Sequence, residues 1–253
     1  MLSYTDLETA KAARGTRMVA NSLVPSPWSE AAKACLLLAK IPAMIVRRAM
    51  DTAAIDAWTG IDNVPALIHD REPARSNWCA IVTFCDRHSA GLRLLPDEIG
   101  ARATTIGVLH EIAGEGGIGW NARLAMIDAG ITSNGATGFP IQVAKFLAKR
   151  YGYAPDAIAV ARAKIAAQLV FLDEQLRGDY FGGDAPNAID AYCATFLTPV
   201  AAPVTEAECP AMFPILRAAF ATAHAAFGSL VPPRLLEHRE RMFTTHLKRP
   251  IEL

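Results

Sequence analysis

This sequence lacks long apolar runs, an excess of charge of one sign, and closely spaced cysteine pairs. No stretch reaches the roughly 18 consecutive apolar residues that a membrane-spanning helix needs. Its 25 basic and 25 acidic residues balance, whereas a nucleic-acid-binding protein needs a positive field. The first residues include Asp6 and Glu8 and have no apolar core, so they do not resemble a signal peptide. We therefore expect a soluble, cytoplasmic protein without a membrane or nucleic-acid partner.

Cysteine is scarce, and its spacing predicts no bridge. The five cysteines are Cys35, Cys79, Cys85, Cys193 and Cys209. An odd number without a close pair of the metal-binding or redox kind indicates reduced thiols. A chain of 253 residues can also bury a large core without a disulfide or a structural metal.

The clearest local pattern is an extended segment that turns abruptly into a helix. Residues 16–23 have strand composition, and the prolines that follow end the strand because a residue before proline avoids helical backbone angles. Residues 30–40 are strong helix formers. Ser26 and Ser29 therefore lie at the start of a helix, where unpaired N–H groups favour an anion and a hydroxyl can cap the helix.

The rest of the first half predicts a small α/β unit. A second strand over residues 41–47 would pair parallel with the first through a right-handed crossover. The other predicted elements are a polar N-terminal extension with a short helix near residue 5 (1–15), an irregular stretch with a loop at 58–60 (49–63), a third strand (66–68) and a helix (76–88).

After Pro96 the strand signals stop and alanine-rich helical periodicity takes over. One buried helical stripe is predicted from Ile158, Ile165, Leu169, Leu172 and Leu176. We place an α/β domain at 16–96 and an all-helical domain at 97–253.

A helix start is also predicted at Asn187. Asn187 can cap the helix, and Asp190, three residues later, can accept a hydrogen bond from the backbone N–H of the cap.

Taken in order, these elements resemble the glutathione transferase family. The resemblance rests on the serine at the first helix, Val64-Pro65 before the third strand, Leu94-Leu95-Pro96 before the linker, and the capping element after it. It implies a thioredoxin-like N-terminal domain, an all-helical C-terminal domain, a homodimer and glutathione as co-substrate.

The resemblance also implies site residues. Ser26 matches the position that contacts the glutathione sulfur, although Ser29 competes for this role and either serine can simply cap the helix. Pro65 matches a cis-proline, which leaves the backbone N–H and C=O of Val64 to pair with the cysteinyl part of glutathione. The implied glutathione-binding set is Trp28, Ser29, Val64, Pro65, Arg75 and Ser76.

Two positions depart from the family pattern. The family usually has an acidic residue before the serine that holds the γ-glutamyl group, but here Arg75 precedes Ser76. Arg75 can instead bind a carboxylate with its planar fork. Asp62 precedes Val64 by two residues and is expected to repel the glycyl carboxylate.

Two other motifs point elsewhere and are set aside. The glycines at 114–119 match a dinucleotide-binding pattern, but no strand precedes them, so we expect a helix break or a close backbone approach instead. His110-Glu111 begins like a zinc-protease motif, but Gly114 stands where the second histidine is needed. We therefore predict neither a nucleotide nor a metal.

The same segment supplies a candidate pocket for the electrophile. His110, Glu111, Trp120 and Arg123 are unusually polar and aromatic for an alanine-rich domain. Their alternative interpretation is a solvated helix face with one core tryptophan.

The expected function is attack by glutathione thiolate on a small apolar electrophile, by conjugation, thioether cleavage or isomerisation. Serine rather than cysteine at position 26 argues against disulfide exchange. The alternative is a non-catalytic protein of the same fold for ligand carriage or protein interaction, which the missing acidic residue favours.

Overall fold

A computed structural model of the chain describes residues 1–48 and 52–253. Its sheet has four strands in the order β1-β3-β2-β4. The strands are β1 (Leu2–Thr5), β2 (Thr16–Asn21), β3 (Ala43–Arg48) and β4 (Ala66–His69). β3 pairs parallel with both β1 and β2, and β4 pairs antiparallel with β2. The predicted parallel strand–helix–strand unit is confirmed.

Helices make up most of the remaining structure. They are α1 (Leu7–Ala12), α2 (Pro27–Leu38), α3 (Ala53–Thr59), α4 (Trp78–Arg87), α5 (Ile99–Ala113), α6 (Ile118–Thr132), α7 (Ile141–Arg150), α8 (Ala157–Gln175), α9 (Ala188–Phe196), α10 (Thr198–Ala201), α11 (Pro214–Phe227) and α12 (Pro233–Thr245). None of these helices is long and apolar enough to cross a membrane.

The N-terminal residues are not an extension outside the sheet. Leu2–Thr5 form an edge strand whose residues pair with 43–46 of β3, so the prediction is wrong there. A four-residue strand has too little sequence to carry an alternation signal, and pairing with β3 decides its conformation. The short helix predicted next to it is confirmed as α1, which Asp6 caps by accepting a hydrogen bond from the Thr9 N–H.

Part of the predicted irregular stretch is a helix. Residues 53–59 form α3, and Gly60 ends it with a left-handed φ of 68°. The sequence predicts a loop at 58–60, but a glycine just past the last turn is equally a helix stop. Residues 49–51 of that stretch lie outside the described residues.

α2 begins three residues earlier than predicted. Pro27 occupies its first turn, where the missing N–H costs nothing because no helical partner exists there. Ser26 is therefore the N-cap residue, and Ser29 lies inside the first turn.

One continuous core joins the sheet side of the molecule to the helices. The cluster extends from Met18 through the α2 residues to Leu253. The predicted stripe on α8 is confirmed, since its five side chains are all buried. Because the core crosses residue 96, the domain boundary between 96 and 97 remains a proposal.

Asp86 holds the linker that follows α4. Its Oδ1 accepts hydrogen bonds from the backbone N–H groups of Leu94 (3.0 Å) and Leu95 (3.1 Å), and Arg93 pairs with the other oxygen at 3.1 Å. The Ala188 N–H then donates to the Leu94 carbonyl oxygen at 3.0 Å, which connects the linker to α9.

The predicted capping element at the start of α9 is confirmed. Asn187 Oδ1 accepts from the Ile189 N–H, and Asp190 Oδ2 accepts from the Asn187 N–H at 2.8 Å. Asp190 is completely buried, and its Oδ1 accepts from the Phe181 N–H (2.9 Å) and from His238 Nε2 (2.8 Å). The carboxylate thus ties α9 to the preceding loop and to α12.

We expect Asp190→Ala to lower the free energy of unfolding by about 2–5 kcal/mol, because it leaves two backbone N–H groups without their acceptor. Denaturant unfolding measures the change. Asp184→Ala is the matched control, since this exposed aspartate lies in the same loop. A loss below about 1 kcal/mol for Asp190→Ala would contradict the assigned role.

Candidate active site

A cleft of about 670 Å³ opens between the sheet side of the molecule and the helices. The sheet side contributes Asn21, Leu23, Ser26, Trp28, Arg48, Asp62, Asn63, Val64, Ser76, Asn77 and Trp78. The helices and their connections contribute Ala113, Gly114, Glu115, Trp120, Arg123, Phe146, Leu147, Arg150 and Tyr151. A second depression of about 780 Å³ beside the C-terminal residues contains none of the predicted site residues.

Ser26 lies at the N-cap of α2 and faces the cleft. Its carbonyl oxygen accepts from the Glu30 N–H at 2.9 Å, as an N-cap residue does, but its side chain makes no capping bond. Among the described residues, the Ser26 hydroxyl has no hydrogen-bond partner. It is therefore available to a ligand at the positive end of a helix.

Ser29 has a different position. It is completely buried, it does not line the cleft, and its Oγ accepts from the Asn21 N–H at 3.3 Å. This geometry distinguishes the two serines, because only Ser26 faces the open space.

Asn21 was missed in the sequence. Its Oδ1 accepts from the N–H groups of Leu23 (2.9 Å) and Val24 (3.1 Å), which turns the chain away from the sheet before α2 begins. An asparagine two residues before a turn is a known signal for this kind of local bond, and it was readable in the sequence.

The Val64–Pro65 peptide bond is cis, as predicted. Val64 lines the cleft, whereas Pro65 is buried behind it. Val64, which is expected to pair with glutathione through its backbone, therefore lines the same wall of the cleft as Ser26.

Ser76 and Arg75, just before α4, differ in whether they face the cleft. Ser76 lines the cleft. Arg75 does not, because its backbone pairs with Leu67 and its guanidinium forms an ion pair with Glu72 and lies 4.9 Å from the Phe84 ring centre. Asn77 caps α4 by accepting from the Cys79 and Ala80 N–H groups.

Asp62 is not a free negative charge at the cleft mouth. Its carboxylate lies 3.7 Å from the Arg150 guanidinium, which comes from α7 on the opposite wall. The repulsion expected between Asp62 and a ligand carboxylate is therefore partly offset. Both side chains are solvent-accessible, so the pair itself contributes little to stability.

The four residues predicted for the electrophile pocket divide into two pairs. Trp120 and Arg123 line the cleft. His110 and Glu111 are exposed on α5 and do not; the His110 ring lies 6.3 Å from that of Trp78, and Glu111 accepts from Gln168 Nε2 at 2.9 Å. α5 reaches the cleft only at its end, Ala113, and in the turn that follows.

α7 supplies the wall that sequence reasoning missed. Phe146, Leu147 and Tyr151 line the cleft there, and Phe146 is 62% exposed. The Trp120 and Tyr151 ring centres are 4.6 Å apart. An amphipathic helix with aromatic residues at its exposed end was the available signal, but it does not tell which surface the rings will face.

The cysteines do not supply a nucleophile to this cleft. All five are free, and none lines the cleft among the described residues. Burial raises the pKa of Cys85 to about 12 and that of Cys209 to about 11. Both thiols therefore remain protonated near neutral pH.

The glycine-rich segment is a turn between α5 and α6, as expected from a helix break. Gly116 has a left-handed φ of 73°. Gly119, in the first turn of α6, packs so closely that a Cβ there would overlap the Phe196 ring and lie 3.1 Å from Trp28 Cη2. The predicted helix break is thus confirmed, and the groups that approach Gly119 closely are side chains rather than the expected backbone.

The strand order, the helix at the cleft, the cis-proline and the surrounding helices together define the glutathione transferase fold. No protein-family profile and no curated protein matches the sequence. Solved structures do match. A glutathione S-transferase domain-containing protein from Marinobacter aquaeolei VT8 is 14% identical with a TM-score of 0.63, covering 92% of this chain and all (100%) of that one.

Two further structures agree. A glutathione S-transferase from Methylobacillus flagellatus KT with glutathione bound is 12% identical, with a TM-score of 0.62 and coverage of 94% of this chain and 100% of that one. Glutathione transferase Omega 3C from Trametes versicolor is 14% identical, with a TM-score of 0.54 and 91% coverage of both chains. The expected thioredoxin-like N-terminal and all-helical C-terminal fold is confirmed.

We expect Gly119→Ala to lower the free energy of unfolding by about 1–3 kcal/mol, because the added methyl group overpacks the buried Phe196 ring. Chemical denaturation measures it. Gly107→Ala in α5 is the control, since nothing lies within 4 Å of its added Cβ, and helix propensity predicts a gain of about 1 kcal/mol. Equal effects of the two substitutions would contradict the close approach.

Proposed function

We propose that this protein binds glutathione in the 670 Å³ cleft and catalyses attack of its thiolate on a small electrophile. The observation that carries the proposal is the position of Ser26. Its unpartnered hydroxyl lies at the start of α2 in the same cleft as Val64 of the cis Val64–Pro65 bond.

The chemistry requires a thiolate. A free thiol has a pKa of about 8.5, so little of it is ionised at neutral pH. A hydrogen bond from the Ser26 hydroxyl and the positive end of α2 both stabilise negative charge on sulfur, which lowers that pKa. The thiol proton leaves to solvent. The sulfur then forms a bond to carbon with its lone pair. In a substitution a leaving group departs with its bonding electrons; in an addition the π electrons of the double bond move to the neighbouring atom, which takes up a proton from solvent.

The remaining glutathione contacts are assigned to the sheet-side wall. The Val64 backbone pairs with the cysteinyl part, the Ser76 hydroxyl binds the γ-glutamyl end, and Trp28 forms a side of the site. Ser29 and Pro65 act from behind the wall, by shaping the Asn21 turn and the loop of Val64.

Arg75 has no direct role in this proposal. Its guanidinium is already paired with Glu72, and the residue does not line the cleft. Arg48 lines the cleft instead, although its guanidinium is paired with Asp56 at 2.9 Å.

A second candidate is a non-catalytic protein that carries a ligand in the same cleft. The observation favouring it is the lack of a carboxylate beside Ser76: the acidic residues among the described lining are Asp62 and Glu115. Calorimetric titration with glutathione together with a turnover assay separates the candidates, because the enzyme must both bind glutathione and convert an electrophile.

A homodimer and a cytoplasmic location remain predictions from the resemblance and the composition. Sedimentation velocity of the purified protein tests the first, and fractionation of the source cells tests the second.

We expect Ser26→Ala to raise the pKa of bound glutathione by about one unit or more, because a hydrogen bond to a charged group is worth about 1.5–3 kcal/mol. The midpoint of the pH–rate profile for kcat/KM with chlorodinitrobenzene measures this pKa. Below that midpoint the variant's rate falls about tenfold or more, whereas at high pH the two rates converge.

Ser22→Ala is the matched control, since the Ser22 hydroxyl donates to the Arg48 carbonyl oxygen at the same turn and does not line the cleft. An unchanged midpoint in Ser26→Ala would remove the role of Ser26. Binding of glutathione without turnover of any electrophile would instead favour the carrier.

A further inference from the structure

Arg123 is a cation inside the cleft that has no counter-ion among residues 1–48 and 52–253. It projects from α6 among three aromatic rings, with its guanidinium carbon 5.4 Å from the centre of Trp28, 5.4 Å from that of Tyr151 and 5.7 Å from that of Phe139. Rings at these distances stabilise the positive charge and hold the group in place. The side chain is half-buried and lines the cleft.

Its hydrogen-bonding groups are unused. The Nε–H is buried without an acceptor, and in the part of the chain that the structure describes no carboxylate or carbonyl oxygen pairs with the guanidinium. Arg17, Arg75 and Arg239 also have a buried N–H without a partner, but each of these bonds elsewhere to carbonyl or carboxylate oxygens. Arg123 alone among these four lacks any such bond.

A half-buried guanidinium with unpaired hydrogen-bond donors is suited to bind an anion. Removing a guanidinium from water without pairing its donors costs free energy, and buried polar groups are normally satisfied. A planar carboxylate offers two oxygens that match the fork of the guanidinium. The acidic residues of the lining do not fill this place, because Asp62 pairs with Arg150, and Glu115 is exposed and forms no ion pair with the residues that the structure describes.

The surroundings define the rest of the ligand. Trp120, Tyr151 and Phe146 are aromatic residues on the helical side of the cleft that Ser26 also lines. Trp28 connects the two places, since it lies two residues after Ser26 on the same helix and its ring contacts the guanidinium. A ligand at Arg123 therefore lies beside the proposed thiol site, with its apolar body against the rings.

We propose that Arg123 binds the carboxylate of the electrophilic co-substrate, so that the preferred substrates are aromatic or apolar carboxylic acids rather than neutral molecules. The assignment to the co-substrate rests on the function proposed above. The anion site itself does not, and it can be tested without glutathione.

The binding experiment uses two probes of equal shape, naphthoate and its neutral analogue naphthamide. Calorimetry on the intact protein should give a naphthoate Kd at least about tenfold lower than that of naphthamide. Arg123→Gln should weaken naphthoate binding by about 10–100-fold and leave naphthamide nearly unchanged, as expected for loss of a charge-assisted pair. Arg123→Lys, which keeps the charge but loses the fork, should lie between.

Arg162→Gln on the exposed face of α8 is the control for a general change in charge and should leave both Kd values unchanged. If Arg123→Gln weakened the binding of naphthoate and naphthamide equally, the proposal would be overturned, because the arginine would then only support the aromatic rings. Unchanged naphthoate binding would overturn it as well. Melting temperatures of all variants establish that each is folded.

A kinetic comparison distinguishes whether Arg123 binds the carboxylate of the electrophile or a carboxylate of glutathione. With chlorodinitrobenzoate and neutral chlorodinitrobenzene, Arg123→Gln should lower kcat/KM about 10–100-fold for the acid only and leave the KM for glutathione unchanged. A raised KM for glutathione with equal losses for both electrophiles would overturn the assignment, since Arg123 would then hold glutathione. If neither electrophile reacts but the binding of naphthoate still depends on Arg123, the proposed catalytic function is wrong and the anion site is supported.

Discussion

The indole of Trp28 joins the two walls of the cleft. Its Nε1–H donates to the Ala113 carbonyl oxygen at 3.0 Å, which anchors the first turn of α2 to the end of α5. Its ring lies edge-on to Phe196 with centres 4.9 Å apart, and it contacts Arg123 of α6. Gly119 allows α6 to approach this closely. A hydrogen bond and tight packing around one side chain thus set the distance between the sheet-side wall and the helical wall of the cleft.

Buried carboxylates hold the frame around this contact. Asp86 and Asp190 each accept hydrogen bonds from two backbone N–H groups and from an additional side-chain donor. Asp86 lies in α4 and orders the linker after it, whereas Asp190 lies in the first turn of α9. A carboxylate can satisfy several donors at once, so one side chain orders a segment that has no regular backbone pairing. These residues position the helices without entering the cleft.

Local signals in the sequence predicted a useful part of the site. Ser26 at a helix start and the Asn187 capping element are short-range patterns, and the structure has both where expected. The cis Val64–Pro65 bond follows from the family resemblance and not from a local pattern, and the structure has it as well. β1 and α3 were missed because neither has an unambiguous local signal. A four-residue edge strand depends on its partner, and the glycine that ends α3 was ambiguous between a loop and a helix stop.

The sequence by itself determined the succession of β2, α2 and β3, the helix start that presents a serine hydroxyl, and the stripe that buries α8, because each depends on residues close together in the chain. Only the tertiary structure decided which side chains share the cleft. It turned Ser29 inward to the Asn21 N–H, left His110 and Glu111 outside, and brought Phe146 and Leu147 of α7 to the cleft that Ser26 lines. The physical reason is that the packing of elements distant in the chain decides which of their faces meet, and no local pattern encodes that choice.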